Sequence, residues 1–306
     1  MARSAVGAPA DAPSVSPSVW LVMGASGDTD LTTNFLRQAH TWQDTAARAG
    51  ITARLIGDSP DNQTNDWSRL RDALAGEPRD GNAELWLILI GHGTFDGRDA
   101  KFNLRGPDVS AGELSGWLNP IHRPTIVIDT TSASAPFLNK LKAPNRVVVT
   151  ATRSGHEKNY SRFGSFLAEA IADPAADLDQ DGQTSLLEAF LSASHRSAEF
   201  YQTAGRLATE HSLLDDNGDG QGTPADWFRG VLAVKKPQKN VLVDGLRAHQ
   251  VHLVASEAER LLTPESRRLR DELERQVMRL REEKARVPEE EYYTRLEKLL
   301  LELARI

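Results

Sequence analysis

The sequence predicts an α/β fold in three layers, a mostly parallel central sheet covered by helices on both faces. Three observations carry that expectation. From Trp20 onward, short apolar runs alternate with amphipathic segments, the pattern of strands joined by crossover helices. Leu85-Trp86-Leu87-Ile88-Leu89-Ile90 is apolar without interruption, which suits a strand buried on both faces. A chain of 306 residues also suffices for one large core plus an appendage.

Taken in order, residues 19–23 form the first strand, and the turn Gly24-Ala25-Ser26-Gly27-Asp28 leads to a helix over 31–48. Residues 51–56 form the second strand. A helix over 64–75 sets Trp67, Leu70 and Leu74 on one face, as the helical period requires. The third strand, 85–90, ends in Gly91-His92-Gly93. Ser110 caps a short helix reaching Leu118, with Glu113 at the capping-box position. Residues 125–128 and 147–149 give two further strands around a helix at 135–141, and another helix covers 163–171. Catalytic groups in open parallel sheets gather at the carboxyl ends of strands, near the switch in strand order. His92 and the stretch Asp129-Thr130-Thr131-Ser132 both stand at such ends.

Residues 256–306 differ in kind. A Glu- and Arg-rich segment through 286 carries Leu262, Leu269, Leu273, Val277 and Leu280 as an apolar stripe. Pro288 followed by Glu289, Glu290 and Glu291 starts a second helix, since proline suits the first helical position and acids suit the positive end of the dipole. That helix bears Leu296, Leu299, Leu300, Leu303 and Ile306. The expected organisation is a disordered leader over 1–18, a main domain over 19–255 and a helical hairpin or coiled-coil extension over 256–306. The hairpin must bury its stripe on itself, on the main domain, or against a second copy of the chain.

Bulk composition excludes several functions. A net charge of -7 and a pI near 5.7 argue against nucleic acid as a partner, because phosphate binding needs a basic footprint. No apolar run reaches the roughly 18 residues that span a bilayer. The absence of cysteine removes disulfides, thiolate metal sites and thiol catalysis together. The Ala-, Pro- and Ser-rich leader lacks the apolar centre of a signal peptide, so the sequence leaves the compartment open: periplasmic or extracellular if an export signal precedes this chain, cytoplasmic otherwise. Export would suit calcium-binding loops, since the ion is abundant outside the cell.

Two acidic loops point to that ion. Asp177-Leu178-Asp179-Gln180-Asp181-Gly182-Gln183-Thr184-Ser185-Leu186-Leu187-Glu188 matches the twelve-residue EF-hand loop place by place. Asp177, Asp179 and Asp181 supply oxygens at the first, third and fifth places. Gly182 turns the chain, Gln183 offers its carbonyl, and Glu188 closes the loop as a bidentate ligand. Hard oxygen donors of this kind select Ca2+. A second copy runs from Asp215 through Asn217, Asp219, Gly220 and Gln221, with Asp226 at the twelfth place. Its closing side chain is shorter and Pro224 precedes it, so weaker coordination is expected there. Both loops are expected between helices of the main domain, where calcium would act as a structural tie.

Strand-Gly91-His92-Gly93-Thr94 followed by strand-Asp129-Thr130-Thr131-Ser132-Ala133-Ser134 resembles the His-Gly and Asp/Glu-x-Cys elements of the caspase-like cysteine peptidases. Within them it is most similar to the legumain branch, peptidase family C13, and its bacterial relatives. The resemblance covers residues 19–200, and Glu210-His211-Ser212-Leu213-Leu214 adds to it. It implies a caspase-like fold in which His92 takes the histidine place, Gly93 supplies an oxyanion amide, and Thr131 stands where the family carries its cysteine.

That departure matters physically. A thiol ionises near about 8.5, whereas an alcohol is far less acidic and needs an aligned base. Threonine adds a methyl group across the line of attack, and an internal threonine has no chain-terminal amine to borrow. The resemblance therefore implies a catalytically inactive homologue that binds a protein or peptide partner in the former substrate cleft. The alternative is an active peptide or ester hydrolase using Thr131, Ser132 or Ser134 with His92. The family's pocket arginine after the first strand is missing from Gly24-Ala25-Ser26-Gly27-Asp28. Arg153-Ser154-Gly155-His156-Glu157 should line the same cleft, with His156 and Glu157 as a possible proton-handling pair.

Overall fold

The computed structural model describes residues 16–59, 65–236 and 242–306. Most of the expected leader and the first residue of the expected 64–75 helix lie outside that set. The fold is α/β, with a large, mostly parallel sheet between two helical layers. Strands β1 (Ser18–Met23), β2 (Ala53–Ile56) and β3 (Leu85–Ile90) come first, separated by helices α1 (Thr29–Arg48) and α2 (Asp66–Ala75). Three short strands follow, β4 (Gly93–Phe95), β5 (Ala100–Phe102) and β6 (Val109–Ser110), then α3 (Ala111–Leu118), β7 (Thr125–Asp129), α4 (Ala135–Leu141) and β8 (Arg146–Thr150). Helices α5 (Phe163–Ala170) and α6 (Leu186–Thr203) precede β9 (Leu213–Asp215) and β10 (Thr223–Pro224).

The main sheet has the order β10-β9-β8-β7-β3-β1-β2. Strands β8, β7, β3, β1 and β2 pair in parallel, while β9 runs antiparallel to β8 and β10 to β9. The strand order reverses between β1 and β3, and the parallel pairing of β3 with β7 puts their carboxyl ends side by side. Alternation along each strand divides the core in two. Trp86, Ile88 and Ile90 pack with Ile126, Ile128, Val147 and Val149 against α1, α5 and α6. Leu85, Leu87 and Leu89 face the other way, with Val127 and Val148, against α2, α3 and α4. Trp42 and Trp86 are wholly buried with ring centroids 6.5 Å apart, so truncating either to alanine should cost about 3–5 kcal/mol.

Caps follow the sequence closely. Asp28 accepts from the Leu31 amide to start α1, and Ser110 with Glu113 forms the complete capping box of α3. Three features were not legible. The small sheet β4-β5-β6 folds immediately after His92, and β9 and β10 flank the second acidic loop, which thus lies between strands and not between helices. The segment after 256 is also broken. Ser256 caps α8 (Glu257–Leu261) and Thr263 caps α9 (Pro264–Glu283), with α7 (Leu246–His249) just upstream and α10 (Glu289–Leu303) completing the hairpin.

The hairpin docks on the rest of the chain. Gln250 Nε2 donates to the Asp271 carbonyl and to Glu274, and Glu282 accepts from the Val243 amide at 3.1 Å. Leu273, Leu280 and Tyr292 are buried, whereas Leu269 leaves the expected stripe and is exposed together with Leu300, Leu301 and Ile306. Among the described residues, no helix is long and apolar enough to cross a membrane.

Candidate functional site

The tips of β3 and β7 bring His92 next to the Thr131 loop. The parallel register pairs Leu89 with Asp129, so the two strands end together. Gly93 sits so near the loop that an added Cβ would lie 2.2 Å from the Ser132 carbonyl and 2.7 Å from Thr131 Oγ1. Glycine is needed there by space alone.

All three candidate hydroxyls are buried and bonded. Thr131 is fully buried, and both its amide and its Oγ1 donate to Asp129 Oδ1, at 3.0 and 2.6 Å. Ser132 Oγ donates to the Gly93 carbonyl at 3.1 Å and accepts the Gly93 amide at 3.3 Å, so the amide expected at an oxyanion position is directed to a serine. Ser134 and Thr152 share a hydroxyl contact at 3.1 Å and exchange backbone bonds that tie the α4 entrance to the end of β8. Ala133 between them adopts φ 54, with its amide on the Glu157 carbonyl.

The His92 side chain has aromatic neighbours. Its ring meets Phe35 edge-on at 5.4 Å and Tyr160 at 6.4 Å, and no hydrogen bond joins it to Thr131, Ser132 or Ser134 among the described residues. The buried acid of the site is Asp129. Burial pushes its carboxyl up to about 6, the Thr131 hydrogen bonds pull the other way, and its Oδ2 has no partner.

The loop after β8 pairs differently from expectation. Glu157 bonds His211, with Nδ1 at 2.6 Å and the His211 amide at 3.2 Å, while His156 stacks edge-on against Phe95 at 5.5 Å. Glu157 and His156 therefore do not form a pair. Next along the chain, buried Glu210 accepts from Ser161 Oγ, the Arg162 and Phe163 amides and Tyr201 Oη, which satisfies the first turn of α5. The Glu210-His211 dipeptide was visible in the sequence, but its partners lie too far along the chain for spacing to reveal them. Arg153, Ser154 and Gly155 line a surface groove of about 440 Å3 with Phe95, Arg98 and Lys140, and His92, Thr131, Ser132 and Ser134 are not among its lining residues.

The first acidic loop closes on itself. Asp177, Asp179 and Glu188 bring carboxylate oxygens within 4.8 Å of one another. Asp177 accepts the Asp181 and Gly182 amides at 3.2 and 3.0 Å, and Gly182 turns the chain with φ 88. Asp181 accepts the Gln183 amide, and Gln183 Oε1 accepts the Ser256 amide at 3.0 Å. Glu188 is 1% exposed; its Oε1 takes the Leu178 and Asp179 amides, and its Oε2 takes the amide and hydroxyl of Ser185. His249 Nε2 lies 3.2 Å from Asp179 Oδ2, a neighbour that spacing did not suggest. Burial, and then Asp181 and Glu188, raise the Asp179 carboxyl. An all-oxygen set of this kind fits a hard divalent cation.

The second loop repeats the turn. Asp215 accepts the Gly218 and Gly220 amides, Asn217 Oδ1 accepts Asp219, and Asp219 Oδ1 accepts Gln221. Asp226, expected at its twelfth place, is exposed on the turn Ala225–Trp227 and makes no hydrogen bond to the loop among the described residues.

No family model matches the chain, and no curated protein matches it. Among solved structures, the chain is similar to the initiator caspase Dronc from Drosophila, at 14% identity over 72% of this chain and 96% of that one, with a TM-score of 0.43. Raptor from Chaetomium thermophilum is similar at 9% identity over 56% of this chain and 19% of its own length, TM-score 0.36. A protein from Geobacter sulfurreducens is similar at 11% identity over 59% of this chain and 89% of that one, TM-score 0.37.

Proposed function

We propose that this chain is a calcium-binding, non-catalytic relative of the caspase-like peptidases that works as a protein-interaction module. The observation that carries the non-catalytic half is the engagement of Thr131. A nucleophile must meet its substrate and pass its proton to a base, yet the Thr131 hydroxyl is fully buried and donates to Asp129. Ser132 and Ser134 are buried and bonded as well, and the His92 ring packs against Phe35 and Tyr160. An oxyanion site needs an amide aimed at open space, and the Gly93 amide serves Ser132 instead.

Calcium is the second half of the reading. Asp177, Asp179 and Glu188 gather their oxygens, Asp181 and the Gln183 carbonyl would complete the donor set, and the bound ion would neutralise acids that otherwise repel one another. The ion would tie the entrance of α6 to the segment before it. A partner would dock along the groove beside Phe95, Arg98 and Arg153.

A fluorophosphonate probe tests the first half. No labelling of Thr131, Ser132 or Ser134 is expected; labelling of one of them that disappears in His92→Ala would establish the hydrolase instead. Calorimetry with calcium and with chelator tests the second, and an unmoved melting temperature would remove it.

A further inference from the structure

We infer that Asp244, and not Asp226, closes the second acidic loop, so that Asp215, Asn217, Asp219 and Asp244 form a second calcium site assembled from two separate stretches of chain. The inference rests on the reading of the first loop as a calcium site and extends it to a residue that no loop pattern contains.

The two loops can be compared place by place. In the first, the closing Glu188 uses one oxygen to accept the amides of the second and third places, Leu178 and Asp179, and the other to accept the hydroxyl of the ninth place, Ser185. In the second, Asp244 Oδ1 accepts the amides of the second and third places, Asp216 at 3.0 Å and Asn217 at 3.1 Å. Its Oδ2 accepts the hydroxyl of the ninth place, Thr223, at 2.6 Å. Asp244 therefore occupies the station of Glu188 in every one of these contacts. Oδ1 has accepted two hydrogen bonds, whereas Oδ2 has accepted one and keeps a lone pair for a metal.

Burial and charge point independently to a cation. Asp215, Asp216 and Asp244 are 1%, 6% and 2% exposed, and no lysine, arginine or histidine forms an ion pair with any of them among the described residues. Asp216 caps α7 through the Gly245 and Ala248 amides, and its carboxyl also meets that of Asp244. That leaves Asp215 and Asp244 on the loop side, joined by Asp219, whose Oδ2 is shut off from solvent with no hydrogen-bond partner. Carboxylates so placed are neutralised by a proton, a base or a metal; among the described residues Arg247 acts on Asp216, and Lys142 reaches only the Asp219 carbonyl.

The shorter side chain is compensated by the route of its backbone. An aspartate at the twelfth place must reach from within the loop, and Asp226 does not. Asp244 arrives from outside, on a segment fixed by the Asp216 cap on one side and by Glu282 of α9 on the Val243 amide on the other. The same segment continues through α7 to His249, which touches Asp179 of the first loop. Residues 242–249 thus strap both loops together.

The test is calcium stoichiometry on the full chain after stripping with EGTA, read by native mass spectrometry and isothermal titration. Two ions are expected for the native chain and for Asp226→Asn, one for Asp244→Asn, one for Asp177→Asn, and none for the Asp177→Asn, Asp244→Asn double variant. Affinity for the second ion should fall roughly 100-fold or more in Asp244→Asn, as the loss of a charged ligand implies. Retention of both ions by Asp244→Asn, or loss of one by Asp226→Asn, overturns the inference. A native chain that binds one ion, lost in Asp177→Asn, overturns it while leaving the first-loop reading intact; a chain that binds none removes both. If circular dichroism shows that Asp244→Asn fails to fold, Asp219→Asn replaces it, with loss of the second ion expected and its retention counting against the site.

Discussion

Thr131 Oγ1 donates to Asp129 Oδ1 at 2.6 Å, so Thr131 commits its hydroxyl to a carboxylate on its own strand end. The same oxygen of Asp129 takes the Thr131 amide. Replacing Thr131 by valine keeps the branched shape and removes only the hydroxyl donor. We expect a loss of about 1–3 kcal/mol in denaturant unfolding, because a buried carboxylate loses a hydrogen bond it cannot replace with water. An unchanged unfolding midpoint would show that the hydroxyl is free for chemistry.

Asp129 should also make stability depend on pH. Its folded value, about 6, lies above the ordinary 3.8, so the folded state holds a proton that the unfolded state has released between these limits. The stability contributed by the neutral acid is present below about pH 4 and is lost as pH rises through 6. Asp129→Asn lacks this titration, so its stability relative to the native chain should rise between pH 4 and pH 7 by on the order of 3 kcal/mol. Parallel pH profiles for the two proteins would contradict this.

Glu210 closes the first turn of α5 and holds the hydroxyls of Ser161 and Tyr201. Removing it in Glu210→Ala strands several buried donors at once. The expected cost is about 3–5 kcal/mol, with a matching drop in Tm, and Glu210→Gln should recover part of it because one acceptor oxygen remains. Equal losses in both variants would show that the charge alone matters.

Calcium should raise Tm by an amount that grows with ion concentration, since a ligand that binds only the folded chain stabilises by mass action, about 2.7 kcal/mol at 100 times Kd. Glu188→Gln should flatten that dependence while leaving the Ser185 cap of α6 in place. A full calcium response in Glu188→Gln would detach the effect from the first loop.

The outer side of the hairpin leaves Leu269, Leu300, Leu301 and Ile306 exposed. We expect the chain to associate through this face, with a mass by light scattering above the 33.6 kDa of one copy and a return to that value in Leu300→Glu, Leu301→Glu. A single-copy mass for both proteins would leave the face without a second copy of this chain.

The sequence by itself determined whatever depends on neighbours along the chain. The uninterrupted apolar run of β3 demanded burial on two faces, the Ser110 and Glu113 spacing demanded a capping box, and the first acidic loop carries all its acids within twelve residues. His92 and Thr131 could be assigned to strand ends because a buried strand must stop where polar residues begin. What only the tertiary structure decided are the partnerships between distant residues. Thr131 turned to Asp129, Glu157 to His211 and Asp244 to the second loop because packing the sheet and its helices brings these groups together in places without water. A buried polar group takes whatever partner the fold presents, and spacing along the chain cannot say which that will be.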